Sequence, residues 1–263
     1  RSSDLARNVM GCAFLLEQAW LDAGLPVGVF SVIHVPSSQV EEVLGDARIA
    51  AVTLTGSGGA GAAVAAQAGK LCKKSVLELG GSDPFIVLAD ADIDAAVEAG
   101  IKARFSNAGQ VCIAAKRFIL EAPIAEEFTR KFVAKAKVLT VGDPMDAGTK
   151  LAPIAREELR ESLHQQVQTS LSQGAQLVCG GNKVEGAGFF YTPTVLGEVA
   201  PGMVAFDEEM FGPVAALTVA HDVEEAIRLA NHSAYGLSAN LWTRDVARAA
   251  AIARRLEVGG VFI

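Results

Sequence analysis

The sequence predicts an α/β protein built from layers of parallel sheet. Two observations carry this: short apolar runs bounded by glycine or proline, and amphipathic stretches of helical period that alternate with them along the chain. A strand joined to a parallel neighbour needs a crossover, and the intervening helices supply it. Residues 4–22 read as a helix with Ser2 or Ser3 at its N-cap and Gly24 as its stop. Val27 to Val35 reads as a strand, Ser38 to Leu44 as a short helix and residues 49–54 as a buried strand. A Gly-rich turn leads into an Ala-rich helix over 60–69, and Ser75–Leu79 and Pro84–Leu88 are strands. Asp92 caps the next helix, whose apolar face is Ile93, Val97, Ile101 and Phe105. A strand at 117–120, a basic amphipathic helix over 124–138 and a helix over 156–173 follow. Residues 180–188 are turn-rich and 189–196 extended; 214–219, 237–242 and 258–262 are strands. Helices separate these last strands, over 245–256 and from a capping-box start at Asp222 and Glu225 to about Asn231. A dense glycine pair after a strand places a boundary at Glu78, giving units 1–78 and 79–263.

Bulk properties narrow the function. The 263 residues carry 23 basic and 30 acidic side chains, a net charge of −7, which argues against a general nucleic-acid footprint. No apolar stretch reaches bilayer-spanning length and none reads as a secretion signal. Cys12, Cys72, Cys112 and Cys179 are widely spaced, which points to reduced thiols and a cytoplasmic address. The four histidines lack metal-ligand spacing, so no metal is expected. There is no initiator Met, and the chain stops at Val261-Phe262-Ile263 in what reads as a buried strand, so the sequence reads as a segment of a longer protein.

Four groups of residues carry chemistry. Cys112 closes the turn Asn107-Ala108-Gly109-Gln110-Val111-Cys112. A cysteine thiol ordinarily ionises near ~8.5, so a nucleophile here needs a base, a cation or a helix end. The other three cysteines read as small buried hydrophobes. Glu78 stands between Leu77 and Leu79, where burial would raise a carboxylate toward the range of a general base; the bland alternative is a solvent-facing strand end. Gly56, Ser57 and Gly61 belong to a strand-to-helix turn whose backbone could approach a phosphate, or which is simply a tight connection. Glu209, in Glu208-Glu209-Met210-Phe211-Gly212-Pro213, could accept from both hydroxyls of a ribose while Phe211 packs against a flat ring; the alternative is an acidic loop.

Together, Leu77-Glu78-Leu79-Gly80-Gly81, Gly109-Gln110-Val111-Cys112 and Glu209-Met210-Phe211-Gly212-Pro213 resemble the aldehyde dehydrogenase superfamily. The resemblance runs along the whole chain, including Thr53-Leu54-Thr55-Gly56-Ser57 and the closing Gly259-Gly260-Val261-Phe262-Ile263. Residues 79–88, 112–119 and 141–146 are similar to bacterial NAD(P)-dependent succinate-semialdehyde dehydrogenases. The resemblance implies part of a Rossmann-like cofactor unit followed by an α/β catalytic domain. It further implies NAD or NADP as cofactor, a small-molecule aldehyde as substrate and a homo-oligomeric parent. Cys112 would attack the aldehyde, and Glu78 would activate the water that releases the thioester. Gly56, Ser57, Gly61 and Leu79 would lie at the cofactor, Glu209 at its ribose and Phe211 at its nicotinamide. Arg104 is the candidate for the substrate's distal carboxylate, with Arg117 expected on the solvent side of its strand.

Three departures bear on activity. The family's N-terminal stretch, with an Asn that stabilises the oxyanion, is absent, and losing such a donor typically costs ~10²–10³ in rate. The family Lys near the adenosine ribose has no counterpart in Ser3-Asp4-Leu5-Ala6-Arg7-Asn8. The C-terminal tail, which carries oligomer contacts, is also absent. A truncated chain can therefore be inactive although its parent is an enzyme. The competing readings are a CoA-acylating semialdehyde dehydrogenase, which has less need of Glu78, and a non-catalytic relative, which would have lost the thiol or the base.

Overall fold

The computed structural model describes residues 2–3 and 9–263. The chain divides into two compact units, Arg1–Leu79 and Gly80–Ile263.

The first unit contains strand β1 (Ser2–Ser3), helix α1 (Met10–Asp22), strand β2 (Ser31–Val32), helix α2 (Val40–Gly45), strand β3 (Ala51–Thr55), helix α3 (Gly58–Lys70) and strand β4 (Lys74–Glu78). Strands β1 and β2 pair in parallel, so Ser2 and Ser3 are strand residues rather than caps, and the expected helical residues 4–8 lie outside the described part. The strand expected over Val27–Val35 shrinks to two residues, because Gly28 adopts φ +88° and 33–36 continue without pairing. Strands β3 and β4 form a second parallel pair, crossed over by α3. Burial along β3 alternates instead of being continuous, because one face of the pair is uncovered. Cys12 and Cys72 are exposed, contrary to their expected burial: Cys12 lies on an α1 that buries only Ala13, and Cys72 sits at φ 52° in the turn after α3.

The second unit opens with β5 (Asp83–Val87), α4 (Ile93–Phe105), β6 (Ala115–Glu121), α5 (Ala122–Lys137) and α6 (Glu157–Ser172). Short strands β7 (Gln176–Cys179), β8 (Lys183–Val184), β9 (Phe190–Tyr191) and β10 (Thr194–Gly197) follow, then the one-turn helix α7 (Val204–Asp207). The unit closes with β11 (Val214–Ala220), α8 (Val223–Asn231), β12 (Ser238–Trp242), α9 (Val246–Ala253) and β13 (Gly260–Phe262). Seven strands form one sheet in the order β13-β12-β5-β6-β11-β10-β7, parallel except for the β10–β7 pair. Strands β5 and β6 are central and buried along nearly their whole length, as expected when helices cover both faces. Phe85, Phe118, Phe128 and Phe132 form an aromatic core under α4 and α5, with ring centroids 4.8–6.2 Å apart. Asp92 caps α4 by accepting from Ala95 N at 3.1 Å, and Asp222 caps α8 by accepting from Glu225 N at 2.8 Å. Strand β13 is an edge strand with Phe262 exposed, so the closing residues are not the buried strand their composition suggests. Among the described residues no helix is long and apolar enough to cross a membrane.

Arg117 departs most from its expected place. It lies 1% exposed on β6, not on a solvent face. Its guanidinium donates to Ser82 O (2.9 Å), Leu229 O (2.8 Å) and Ala230 O (2.9 Å), and its Cζ stands 5.0 Å from the Phe206 ring centroid. Two of those acceptors are unpaired carbonyls of the last turn of α8, where a cation is favoured. Burial pulls its pKa down, while Asp83 and then Asp207 hold it up. Replacing Arg117 by Met is expected to cost about 3 kcal/mol, since several buried acceptors lose their donor at once. Urea denaturation of wild type and variant measures it as a lowered midpoint.

Candidate active site

Three turns that are far apart in sequence meet because the strands they precede are neighbours. Gly80-Gly81 leads into β5, the Cys112 turn into β6, and residues 209–213 into β11; these strands are adjacent and parallel. Their amino ends therefore lie on one side of the sheet. Open α/β sheets usually bind ligands at the carboxyl ends. At that end, a cleft of about 450 Å³ is lined by Glu121, Asp222, Glu224, Arg248 and Arg255 among others. Its Arg255 and Glu224 are already paired at 2.7 Å, and none of the candidate site residues lines it.

The glycines record how tightly the turns meet. A Cβ on Gly81 would stand 2.6 Å from Cys112 O, and one on Gly80 would collide with Glu209 Oε2. Gly109 has φ +73°, and its Cβ would collide with Gly212 O and lie 2.5 Å from Arg104 Nη2. Asn107 and Ala108 precede it, both at φ 53°, so three successive residues are left-handed. Each non-glycine residue in that region costs on the order of 1–3 kcal/mol and persists only where its surroundings enforce it.

The enforcing groups are buried cations that sequence reasoning misassigned or missed. Arg104 is fully buried, and donates to Gly109 O at 2.6 Å and Ala115 O at 3.2 Å. It is therefore not free to hold a substrate carboxylate, and the expectation that it does so is corrected: its donors brace the two ends of the thiol turn. Lys116, also fully buried, donates to Val111 O (2.9 Å) and Cys112 O (2.7 Å) and lies 3.1 Å from Glu209 Oε1. Gln110 ties the turn outward, its Oε1 accepting from Ala155 N at 2.9 Å. Glu209 Oε1 also accepts from Gly81 N at 3.2 Å. Beneath them Asp83 accepts from Ser238 N (3.2 Å) and from the Ser238 hydroxyl; burial raises its pKa, opposed by those two bonds and then by Lys116 and Arg117.

Cys112 itself is half-buried, as is Phe211. Cys179 is buried on β7, and burial pushes its thiol pKa up, which fits a packing role. In the first unit, Glu78 ends β4 exposed rather than buried between its apolar neighbours, and its carbonyl accepts from Gly56 N at 3.0 Å. Ser57 caps α3, its Oγ accepting from Ala60 N at 3.3 Å. Gly61 is buried against the Leu79 side chain, whose Cδ2 lies 2.5 Å from where a Cβ on Gly61 would stand. That pair packs α3 against the end of β4 and leaves Gly61 no open backbone. The open positions of this helix start are Gly58 and Gly59, where nothing would meet a Cβ within 4 Å.

These observations define a parallel-sheet α/β protein with a strained cysteine turn clamped beside a carboxylate. Residues 5–263 match the aldehyde dehydrogenase family, and the chain belongs to it. It is 57% identical over 258 residues to succinate semialdehyde dehydrogenase [NAD(P)+] Sad of Escherichia coli (strain K12), covering 98% of this chain and 56% of that protein. It is 47% identical to succinate-semialdehyde dehydrogenase [NADP(+)] of Mycobacterium avium (strain 104), covering 98% of this chain and 55% of that protein. The solved structure of lactaldehyde dehydrogenase from Escherichia coli superposes with a TM-score of 0.93 at 33% identity, over 96% of this chain and 54% of that one. The chain thus spans about half the length of the curated relatives it matches.

Proposed function

We propose that this chain carries the thiol centre of an NAD(P)+-dependent dehydrogenase that oxidises succinate semialdehyde to succinate. The observation that carries the reading is the clamped meeting of the Gly80-Gly81, Cys112 and Glu209 turns at the amino ends of β5, β6 and β11. The names of the relatives support the substrate and the cofactor.

Each unit, taken by itself, offers groups of the kind that bind part of a dinucleotide. An open, Ser57-capped helix start at Gly58-Gly59 offers unpaired N–H groups to a pyrophosphate. Glu209, 19% exposed, offers carboxylate oxygens to ribose hydroxyls, and half-buried Phe211 offers a flat face to a ring. When bound, NAD(P)+ supplies the hydride acceptor. The Cys112 thiolate adds to the aldehyde carbon to form the thiohemiacetal oxyanion, which collapses to a thioester on Cys112 as hydride leaves that carbon. Glu78 takes a proton from water, the hydroxide adds to the thioester, and thiolate leaves as the acid is released. Arg104 and Arg117 are buried with their terminal guanidinium nitrogens on backbone carbonyls, so another cation would have to receive the distal carboxylate of the substrate.

The test is Glu78→Gln in the full-length protein, followed by NAD(P)H absorbance after rapid mixing with succinate semialdehyde. The expected trace is a burst of about one equivalent, then turnover slowed by roughly 10²–10⁴-fold, the usual contribution of a general base. Unchanged steady turnover would remove Glu78 from the mechanism.

A further inference from the structure

We propose that Lys116 is a positioning residue that couples Glu209 to the Cys112 turn, so that a ribose bound at Glu209 alters the reactivity of the thiol. This rests on the reading of Cys112 as nucleophile and Glu209 as ribose acceptor. An ammonium has three donors and no acceptor. In Lys116 the ammonium serves Val111 O at 2.9 Å, Cys112 O at 2.7 Å and Glu209 Oε1 at 3.1 Å. It thereby joins the two peptide carbonyls that flank the Cys112 Cα to one carboxylate. Its side chain is 0% exposed and that of Glu209 is 19% exposed, so a ligand reaches the carboxylate and not the ammonium. Gly81 N holds the same oxygen at 3.2 Å, which fixes the carboxylate against Lys116. Charged groups face Lys116 from three elements: Arg104 on α4, Asp83 on β5 and Glu209 before β11. Burial and then Arg104 pull its pKa down to about 8, and Glu209 is the chief group holding it up. A hydroxyl pair donating to Glu209 drains charge from that oxygen and so changes how strongly the ammonium holds the Cys112 carbonyl.

The experiment measures the rate of Cys112 alkylation by iodoacetamide in the full-length protein, with and without saturating NAD+ or NADP+, saturation being established by calorimetry. Coupling between sites typically amounts to roughly 5–150-fold. Wild type is expected to change its labelling rate by about 5-fold or more on cofactor binding. Lys116→Met is expected to reduce that ratio to below about twofold while still binding cofactor, and Lys116→Arg to restore part of it. Glu209→Gln breaks the same link from its more exposed end, leaves the two carbonyl bonds of Lys116 intact, and is expected to lose the ratio as well; it decides the matter if Lys116→Met does not fold. A wild-type-like ratio in Lys116→Met, or in Glu209→Gln where only that variant folds, overturns the proposal for Lys116 and leaves the thiol mechanism standing. A wild type whose Cys112 labelling ignores the cofactor overturns the proposed coupling, and one whose Cys112 is not alkylated at all overturns the reading of Cys112 as nucleophile.

Discussion

Cys112→Ser is expected to lower aldehyde oxidation by the full-length protein by about 10⁴-fold or more, the scale of losing a nucleophile whose partners act as a unit. A serine hydroxyl is not ionised near neutrality, and none of the three histidines of its unit is engaged with the Cys112 turn: His164 is bonded to Tyr191 (3.0 Å), His221 stands 4.0 Å from Glu225 and His232 faces Phe206. The change leaves the Cys112 carbonyl on Lys116, so folding stability should shift by no more than about 0.5 kcal/mol. NAD(P)H absorbance and a urea titration on the same sample separate the two effects. Activity within tenfold of wild type would assign the chemistry to another residue.

Gly109→Ala is expected to have the largest effect on the architecture of the site. The residue sits at φ +73°, where an L side chain is strained, and the new methyl would collide with Gly212 O and crowd Arg104 Nη2. Strain and overpacking together put the cost at about 2–4 kcal/mol. The damage would not stay local, because Gly109 O is an acceptor of the Arg104 brace and Gly212 leads into β11. Circular dichroism melts should show the lost stability, and Cys112 alkylation should lose its selectivity over the exposed Cys12 and Cys72. An alanine variant with native stability and native labelling would mean that the turn relaxes freely, and the clamp would not be a constraint.

The second unit was legible in the sequence wherever local chemistry decides the structure. Asp92 and Asp222 cap the helices their spacing announces, and the apolar runs of β5, β6 and β11 became central strands. The motif residues could be picked out because thiol, carboxylate and glycine pair recur in a known order. What the sequence hid is how the site is held. Arg104, Lys116 and Arg117 are charged residues of a kind almost never fully buried without partners. Their partners are largely backbone carbonyls, up to 113 residues away for Arg117, and no side-chain pattern encodes them. Arg104 therefore read as a substrate ligand and Arg117 as a surface residue. The one available signal was position: three cations flank Cys112 within a run otherwise dominated by small and apolar residues. The first unit was harder, because its two-stranded sheets leave faces uncovered, and β3 alternates where its composition suggested burial.

The central claim is that the acyl group is made on Cys112. The direct measurement is to mix the full-length protein with succinate semialdehyde and NAD(P)+, quench with acid within milliseconds, digest with pepsin and locate the adduct by mass spectrometry. The predicted result is a succinyl group on the peptide containing Cys112, present only when cofactor is included. NAD(P)H formed at full rate with that peptide unmodified would contradict the account.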